Sequence, residues 1–360
     1  MDKKQAKLIL EDGSIFEGIS FGAKIPESGE VVFNTGMVGY PETLTDSSYF
    51  GQILVLTYPL IGNYGVPENT HEKDKINKNF ESEKIQIKGL IVSEYSGNYS
   101  HWYAKKSLND WLKENNIPAI TGIDTRALTQ KLREKGTMLG KIIPENIDPV
   151  TINFYDPNKE NIVSKVSIKK PITYKRGQKS IIIIDCGMKN NILRNFLKRN
   201  ITVHRVPWNY DFFKNKLKFD AVFITNGPGD PCVIKETHAL VKKSMEHKIP
   251  TLRICLGAQV LGIASGAKTY KLKYGHRSQN QPVTDLETGR CYITSQNHGF
   301  AIDKKTLLKD WKVWFENAND QTVEGIKHAS LPFMAVQFHP ESTPGPIDTN
   351  FIFDKFVEII

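Results

Sequence analysis

Along residues 7–22 the chain alternates short apolar runs with a polar turn. Lys7–Leu10, a turn at Asp12-Gly13, and Ser14–Phe21 predict a β-hairpin, because Asp-Gly between β-prone segments is a strong hairpin signal. Glu30–Asn34 and Gln52–Tyr58 predict further strands, and Lys88–Ser93 contains another. Two helical patterns follow. Ser107 caps Leu108–Asn116, and Asp124 or Thr125 caps a run through Lys135 that places Ala127, Leu128 and Leu132 on one face before Gly136. Strands followed by helices predict a small α+β domain over residues 1–145. Periodicity then weakens. Asp148-Pro149, Asp156-Pro157 and Lys169-Lys170-Pro171 punctuate residues 146–178, which read as an interdomain connection.

From residue 179 to 360 the rhythm changes to continuous aliphatic strands separated by amphipathic helices. Ser180–Asp185, Ile201–Val206, Asp220–Thr225 and Pro250–Ile254 read as parallel strands; Asn190–Arg199, Asp211–Leu217 and Ile234–Lys248 read as helices. This predicts an α/β doubly wound, mostly parallel sheet, with ligands beyond the C-terminal ends of its strands.

Three polar stretches fall at those strand ends. Thr251–Ile254 delivers Cys255, then Leu256-Gly257 and a helical pattern, the outline of a nucleophile elbow. A helix N-terminus there favours a thiolate and a neighbouring oxyanion. Phe333–Phe338 delivers His339, with Glu341 two residues on, so a base and its orienter could leave one strand end. Asn226–Pro231 (NGPGDP) offers glycines whose backbone can approach a ligand closely. Read singly, Cys255 is an ordinary small buried hydrophobe, His339 a loop histidine and Gly227-Pro228-Gly229 an ordinary turn. Together, in an α/β sheet, they favour nucleophilic catalysis. No phosphate-binding G-x-x-x-x-G-K-[ST] or dinucleotide fingerprint occurs.

Composition narrows the setting without changing it. Of 360 residues, 48 are Lys or Arg and 39 Asp or Glu, a formal charge of +9, but the lysines are dispersed, so nucleic-acid binding is not expected. The apolar run Leu8–Leu10 is too short for a signal peptide and no stretch is long enough to span a membrane, which predicts a soluble, cytoplasmic protein. Four cysteines without C-x-x-C spacing predict neither a disulfide framework nor a zinc site, and no metal is expected.

The combination of Asn226–Pro231, Ile254–Gly257 with Gln259, Ser295–Phe300 (SQNHGF) and Val336–Ser342 (VQFHPES) resembles the class I, triad-type glutamine amidotransferases. In the first half, Leu8–Gly13, Glu30–Gly36, Tyr40–Thr45, Leu56–Gly65 and Gly122–Arg126 resemble the small subunits of carbamoyl-phosphate synthetase, and the tail Thr343–Pro346 fits as well. The resemblance covers nearly the whole chain. It implies a glutaminase in which Cys255 attacks the glutamine side-chain amide, His339 moves the proton and Glu341 orients His339. Backbone N–H groups of Gly229 and Leu256 would form the oxyanion hole. L-Glutamine would be held by Ser48, Gly227, Gly229, Leu256, Gln259, Asn297, Gly299 and Phe300; with Ser48 from the first domain, the pocket would lie near the domain junction. The resemblance further implies a large-subunit partner, in a heterodimer or higher oligomer, that binds ATP, Mg and bicarbonate and receives the ammonia.

The chain departs from the family pattern at Arg253 (usually glycine), Ala258 (usually histidine), and Ser278 and Gln281 in an expected loop, Tyr274–Pro282. Arg253 would overpack the strand–helix crossing, point outward, or act on Cys255 electrostatically. Three readings therefore stand: an active glutaminase subunit, a catalytically impaired scaffold subunit, and a stand-alone γ-glutamyl hydrolase.

Overall fold

In the computed structural model, residues 4–215 and 217–360 are described, and the chain forms two compact units, Met1–Lys159 and Glu160–Ile360. The first contains β1 (Gln5–Leu10), β2 (Ile15–Gly22), β3 (Glu27–Asn34), α1 (Tyr40–Leu44), β4 (Gln52–Ile61), β5 (Val66–Pro67), β6 (Gly89–Tyr95), β7 (Ala104–Lys106), α2 (Leu108–Glu114), β8 (Pro118–Thr121), α3 (Thr125–Lys135) and β9 (Met138–Pro144). The expected hairpin is the antiparallel pair β1–β2. Ser107 and Asp124 cap α2 and α3 as their side chains predict, accepting from the N–H groups of Asp110 and Ala127. The sheet closes on itself as a barrel in the order β1-β2-β8-β6-β4-β3-β9. Closure rests on β8 and β9, two strands that the sequence pattern does not announce.

The second unit contains α4 (Val163–Val166), β10 (Ile172–Tyr174), β11 (Ser180–Asp185), α5 (Asn190–Lys198), β12 (Thr202–Pro207), β13 (Ala221–Ile224), α6 (Lys235–Glu246), β14 (Thr251–Ile254) and α7 (Leu256–Ala264). It continues with β15 (Thr269–Asp285), β16 (Cys291–Ile302), β17 (Trp311–Asn317), β18 (Val323–His328), β19 (Phe333–Val336) and α8 (Phe351–Glu358). Ten strands form one sheet in the order β10-β12-β11-β13-β14-β19-β18-β17-β15-β16. Its centre, β12-β11-β13-β14-β19, is parallel, and Ile181–Ile184 of β11 and all of β13 are buried apolar runs of the kind that a sheet covered on both faces requires.

Two expectations are corrected. Residues 211–217 form a turn and not a helix (residue 216 lies outside the described residues). There Phe212, Phe213 and Phe219 pack as an aromatic cluster, which buries the apolar positions without helical backbone. Tyr274–Pro282 is not a loop but the middle of β15, paired with β16 across two register shifts. Among the described residues no helix is long and apolar enough to cross a membrane.

Candidate active site

Cys255 sits between β14 and α7 with φ 55° and ψ −108°, a backbone region that L-residues rarely adopt. Such a conformation costs on the order of 1–3 kcal/mol and persists only where the surroundings hold it. Here two hydrogen bonds do so: Cys255 N–H donates to Val336 O on the neighbouring strand (2.9 Å), and Gly257 N–H donates to Thr225 O (3.2 Å). Leu256 is the first residue of α7, so its N–H has no carbonyl one turn earlier in the helix and points toward the elbow. The Cys255 sulfur is buried and lies 3.6 Å from Asn297 O on β16.

His339 leaves β19, the strand beside β14. Its backbone N–H donates to Ser295 O (2.9 Å), and its Nδ1 lies 2.6 Å from Glu341 Oε1. Glu341 is buried against Lys189, whose Nζ is 3.2 Å from the same oxygen and also donates to Ser342 O. Asn191 donates to Glu341 O. Burial alone would push the His339 imidazole down, but the Glu341 carboxylate and the Cys255 sulfur outweigh it and raise the group to about 10. Burial likewise opposes the Glu341 charge, and Lys189 with His339 outweighs it, holding the carboxyl at about 2. His339 Nε2 is buried without an aligned hydrogen bond among the described residues, although the Cys255 sulfur is close enough to raise the imidazole. Such contacts commonly align only when substrate is in place.

Gly227 and Gly229 lie in the loop after β13. A Cβ on Gly227 would stand 2.2 Å from Cys186 O, and Gly229 has φ 83°, so both positions need glycine. Gln259 is buried on α7 and its amide donates to Phe300 O (2.9 Å) and Gln337 Oε1 (3.1 Å), tying the elbow helix to β16. Asn297, Gly299 and Phe300 all lie on β16. Within the second unit the sheet thus gathers Cys255, His339, Glu341, Gln259 and Asn297. Ser48 belongs to the first unit, buried in a one-turn segment where its N–H donates to Asp46 Oδ1 (2.9 Å).

Lys189 was not among the sequence candidates. Its signal was a lone lysine between the apolar β11 and the first residues of α5, where a solvated charge is out of place. Arg253 does not point outward. It is wholly buried, none of its three guanidinium nitrogens has a hydrogen-bond partner among the described residues, and burial pushes it down to about 9. Ala258 is buried in the core on α7, and Ser278 is buried within β15.

Comparison with known proteins follows the same division of the chain. Residues 8–142 match the family described as carbamoyl-phosphate synthase small chain, CPSase domain, and residues 182–359 match glutamine amidotransferase class-I. The chain is 53% identical to the multifunctional protein CAD of Squalus acanthias, over 98% of this chain and 16% of that protein. It is 48% identical to the multifunctional protein URA2 of Saccharomyces cerevisiae, over 98% of this chain and 17% of that protein. It is also 48% identical to the carbamoyl-phosphate synthase [ammonia], mitochondrial, of Homo sapiens, over 99% of this chain and 24% of that protein. The chain therefore spans between a sixth and a quarter of the length of these relatives.

Proposed function

Because the chain belongs to the carbamoyl-phosphate synthase small-chain family, with a class-I glutamine amidotransferase domain as its second unit, we propose that it hydrolyses glutamine and delivers the ammonia to carbamoyl-phosphate synthesis. The observation that carries this is the strained Cys255 elbow beside His339, whose Nδ1 is held 2.6 Å from the buried Glu341 carboxylate. A cationic imidazole is the partner a thiolate nucleophile needs, and the raised His339 supplies it.

The Cys255 sulfur attacks the side-chain amide carbon of glutamine, and the carbonyl oxygen becomes an oxyanion against the N–H groups of Leu256 and Gly229. His339 gives its proton to the amide nitrogen. The C–N bond breaks, ammonia leaves, and a γ-glutamyl thioester remains on Cys255. Water, deprotonated by His339, attacks that thioester; the C–S bond breaks and glutamate departs. Gly227, Gln259, Asn297, Gly299 and Phe300 of the second unit are the residues proposed to hold glutamine, Gln259 through the backbone of Phe300. ATP, Mg and bicarbonate are proposed to act on a large-subunit partner, either a separate chain or a further stretch of a longer polypeptide, and a cytoplasmic location is proposed with it.

A glutamine-analogue electrophile should label Cys255, and Cys255→Ser should abolish glutamine-dependent carbamoyl-phosphate synthesis while synthesis from free ammonia continues on the partner. Retained glutamine use by that variant would remove Cys255 from the mechanism. A second reading, a scaffold that completes an ammonia-fed synthase, has two observations in its favour: the unpartnered Arg253 beneath the elbow, and a relative whose name specifies ammonia. The two separate on the labelling experiment, since the scaffold forms no adduct with or without the partner.

A further inference from the structure

Away from Cys255, four polar side chains from three strands converge inside the second unit. They are His276 on β15, Gln296 and His298 on β16, and Glu324 on β18, all buried. Glu324 Oε1 lies 3.2 Å from His276 Nδ1 and 3.5 Å from His298 Nε2. Gln296 Oε1 lies 3.2 Å from the same His298 Nε2. The Gln296 amide is oriented by its own donor, since Nε2 reaches Thr294 Oγ1 at 3.1 Å, so the carbonyl oxygen faces the cluster.

The outer nitrogen of each imidazole is already committed. His298 Nδ1 lies 2.9 Å from Phe300 O, a pure acceptor, and His276 Nε2 lies 2.9 Å from Asp320 Oδ2. With a proton on each outer nitrogen, the inner nitrogens carry lone pairs, and those lone pairs point at oxygens that also only accept. A positive centre among them, a bound cation or a second proton on His276, resolves the conflict. The second carboxylate oxygen, Glu324 Oε2, is buried with no hydrogen-bond partner among the described residues, so they leave the carboxylate incompletely satisfied. The other contacts here, Thr322 Oγ1 on Glu324 at 3.4 Å and Asn317 Nδ2 on His276 at 3.5 Å, are long.

We propose that His276 Nδ1, His298 Nε2, Glu324 and Gln296 Oε1 form a structural site for a divalent transition metal of the zinc class. Metal bonds of roughly 2.0–2.1 Å give tetrahedral donor–donor edges of about 3.3 Å, and three of the edges here measure 3.2, 3.2 and 3.5 Å. Two imidazoles with two oxygens suit zinc, and Asp320 behind His276 repeats the carboxylate–histidine–metal arrangement that orients metal-binding imidazoles. The sequence expectation of no metal rested on cysteine spacing and did not consider histidines brought together by β-pairing. The metal would fasten β16 to β15 and β18 on either side of Asn297, whose carbonyl faces the Cys255 sulfur. The proposal stands independently of any role for Cys255.

The test uses the 360-residue chain carrying Cys232→Ser, Cys255→Ser and Cys291→Ser, which leaves the buried Cys186 as its one thiol, after exhaustive chelation. Calorimetric titration with Zn²⁺ should give one equivalent per chain, and Co²⁺ should give the visible bands of a four-coordinate site without a thiolate charge-transfer band. Glu324→Gln should abolish stoichiometric binding. Asp320→Asn, at a half-exposed position and with an amide oxygen that still accepts from Thr322, should weaken Zn²⁺ about 10–100-fold. No stoichiometric metal, or an affinity untouched by both substitutions, would overturn the site; the first result would leave an ion pair around a doubly protonated histidine.

Discussion

Arg253 places a cation in the middle of β14, level with Ile224 and Ala335 on the two neighbouring strands and beneath α7. Each buried donor left unpaired costs on the order of 1–3 kcal/mol. Arg253→Met, which keeps an unbranched side chain of similar length, should therefore raise stability by about 1–3 kcal/mol in urea denaturation at pH 7. No gain in that variant would mean that the buried guanidinium is not a cost. Glu341 carries the pH dependence. Its carboxyl is held at about 2 against an ordinary 4.5, so its contribution is present above pH 4.5 and is lost as pH falls toward 2. Melting temperatures at pH 7, 5 and 3 should show Glu341→Gln less stable at neutral pH and converging with wild type in acid.

At the scale of elements, the elbow works because α7 crosses close over β13. A Cβ on Gly257 would stand 2.5 Å from Ile224 O and 3.0 Å from its carbonyl carbon, both main-chain atoms that cannot swing away. Gly257→Ala should cost about 1–3 kcal/mol. It should also lower glutaminase rate about 100-fold, the order expected when a reacting group moves by about an ångström. Gly97→Ala is the control, since nothing lies within 4 Å of a Cβ there; it should stay within about 0.5 kcal/mol. Equal losses in both variants would sink the close-crossing argument. The elements around the elbow were legible because aliphatic runs such as Ile181–Ile184 bury both faces. The β15–β16 hairpin was not: its middle, from Tyr274 to Gln281, is polar, and His276, Arg277 and Ser278 are buried there without any apolar alternation to announce them.

At the scale of the molecule, each unit has its own apolar core, one gathered by Val32, Leu54, Leu90 and Leu112, the other by Ile182, Ile184, Val222 and Leu261. The +9 charge is dispersed over these two surfaces. Binding to polyanions through dispersed charge is weak and salt-sensitive, so heparin should release the chain by roughly 0.2 M salt. Retention well beyond that would reopen nucleic-acid binding. The strand order also determines which residues meet. His339 stands beside Cys255 because β19, late in the chain, inserts next to β14, 82 residues earlier (336 − 254).

By itself the sequence determined the kind of sheet and the positions of Cys255, His339 and Glu341 at its strand ends. These are local matters: burial pattern, turn chemistry and residue type. Only the tertiary structure decided that Lys189 neutralises Glu341, that Arg253 is sealed without a hydrogen-bond partner among the described residues, and that His276, His298 and Glu324 share one interior point. Those outcomes depend on which strands become neighbours, and neighbourhood is set by the packing of the whole sheet and not by any segment within it.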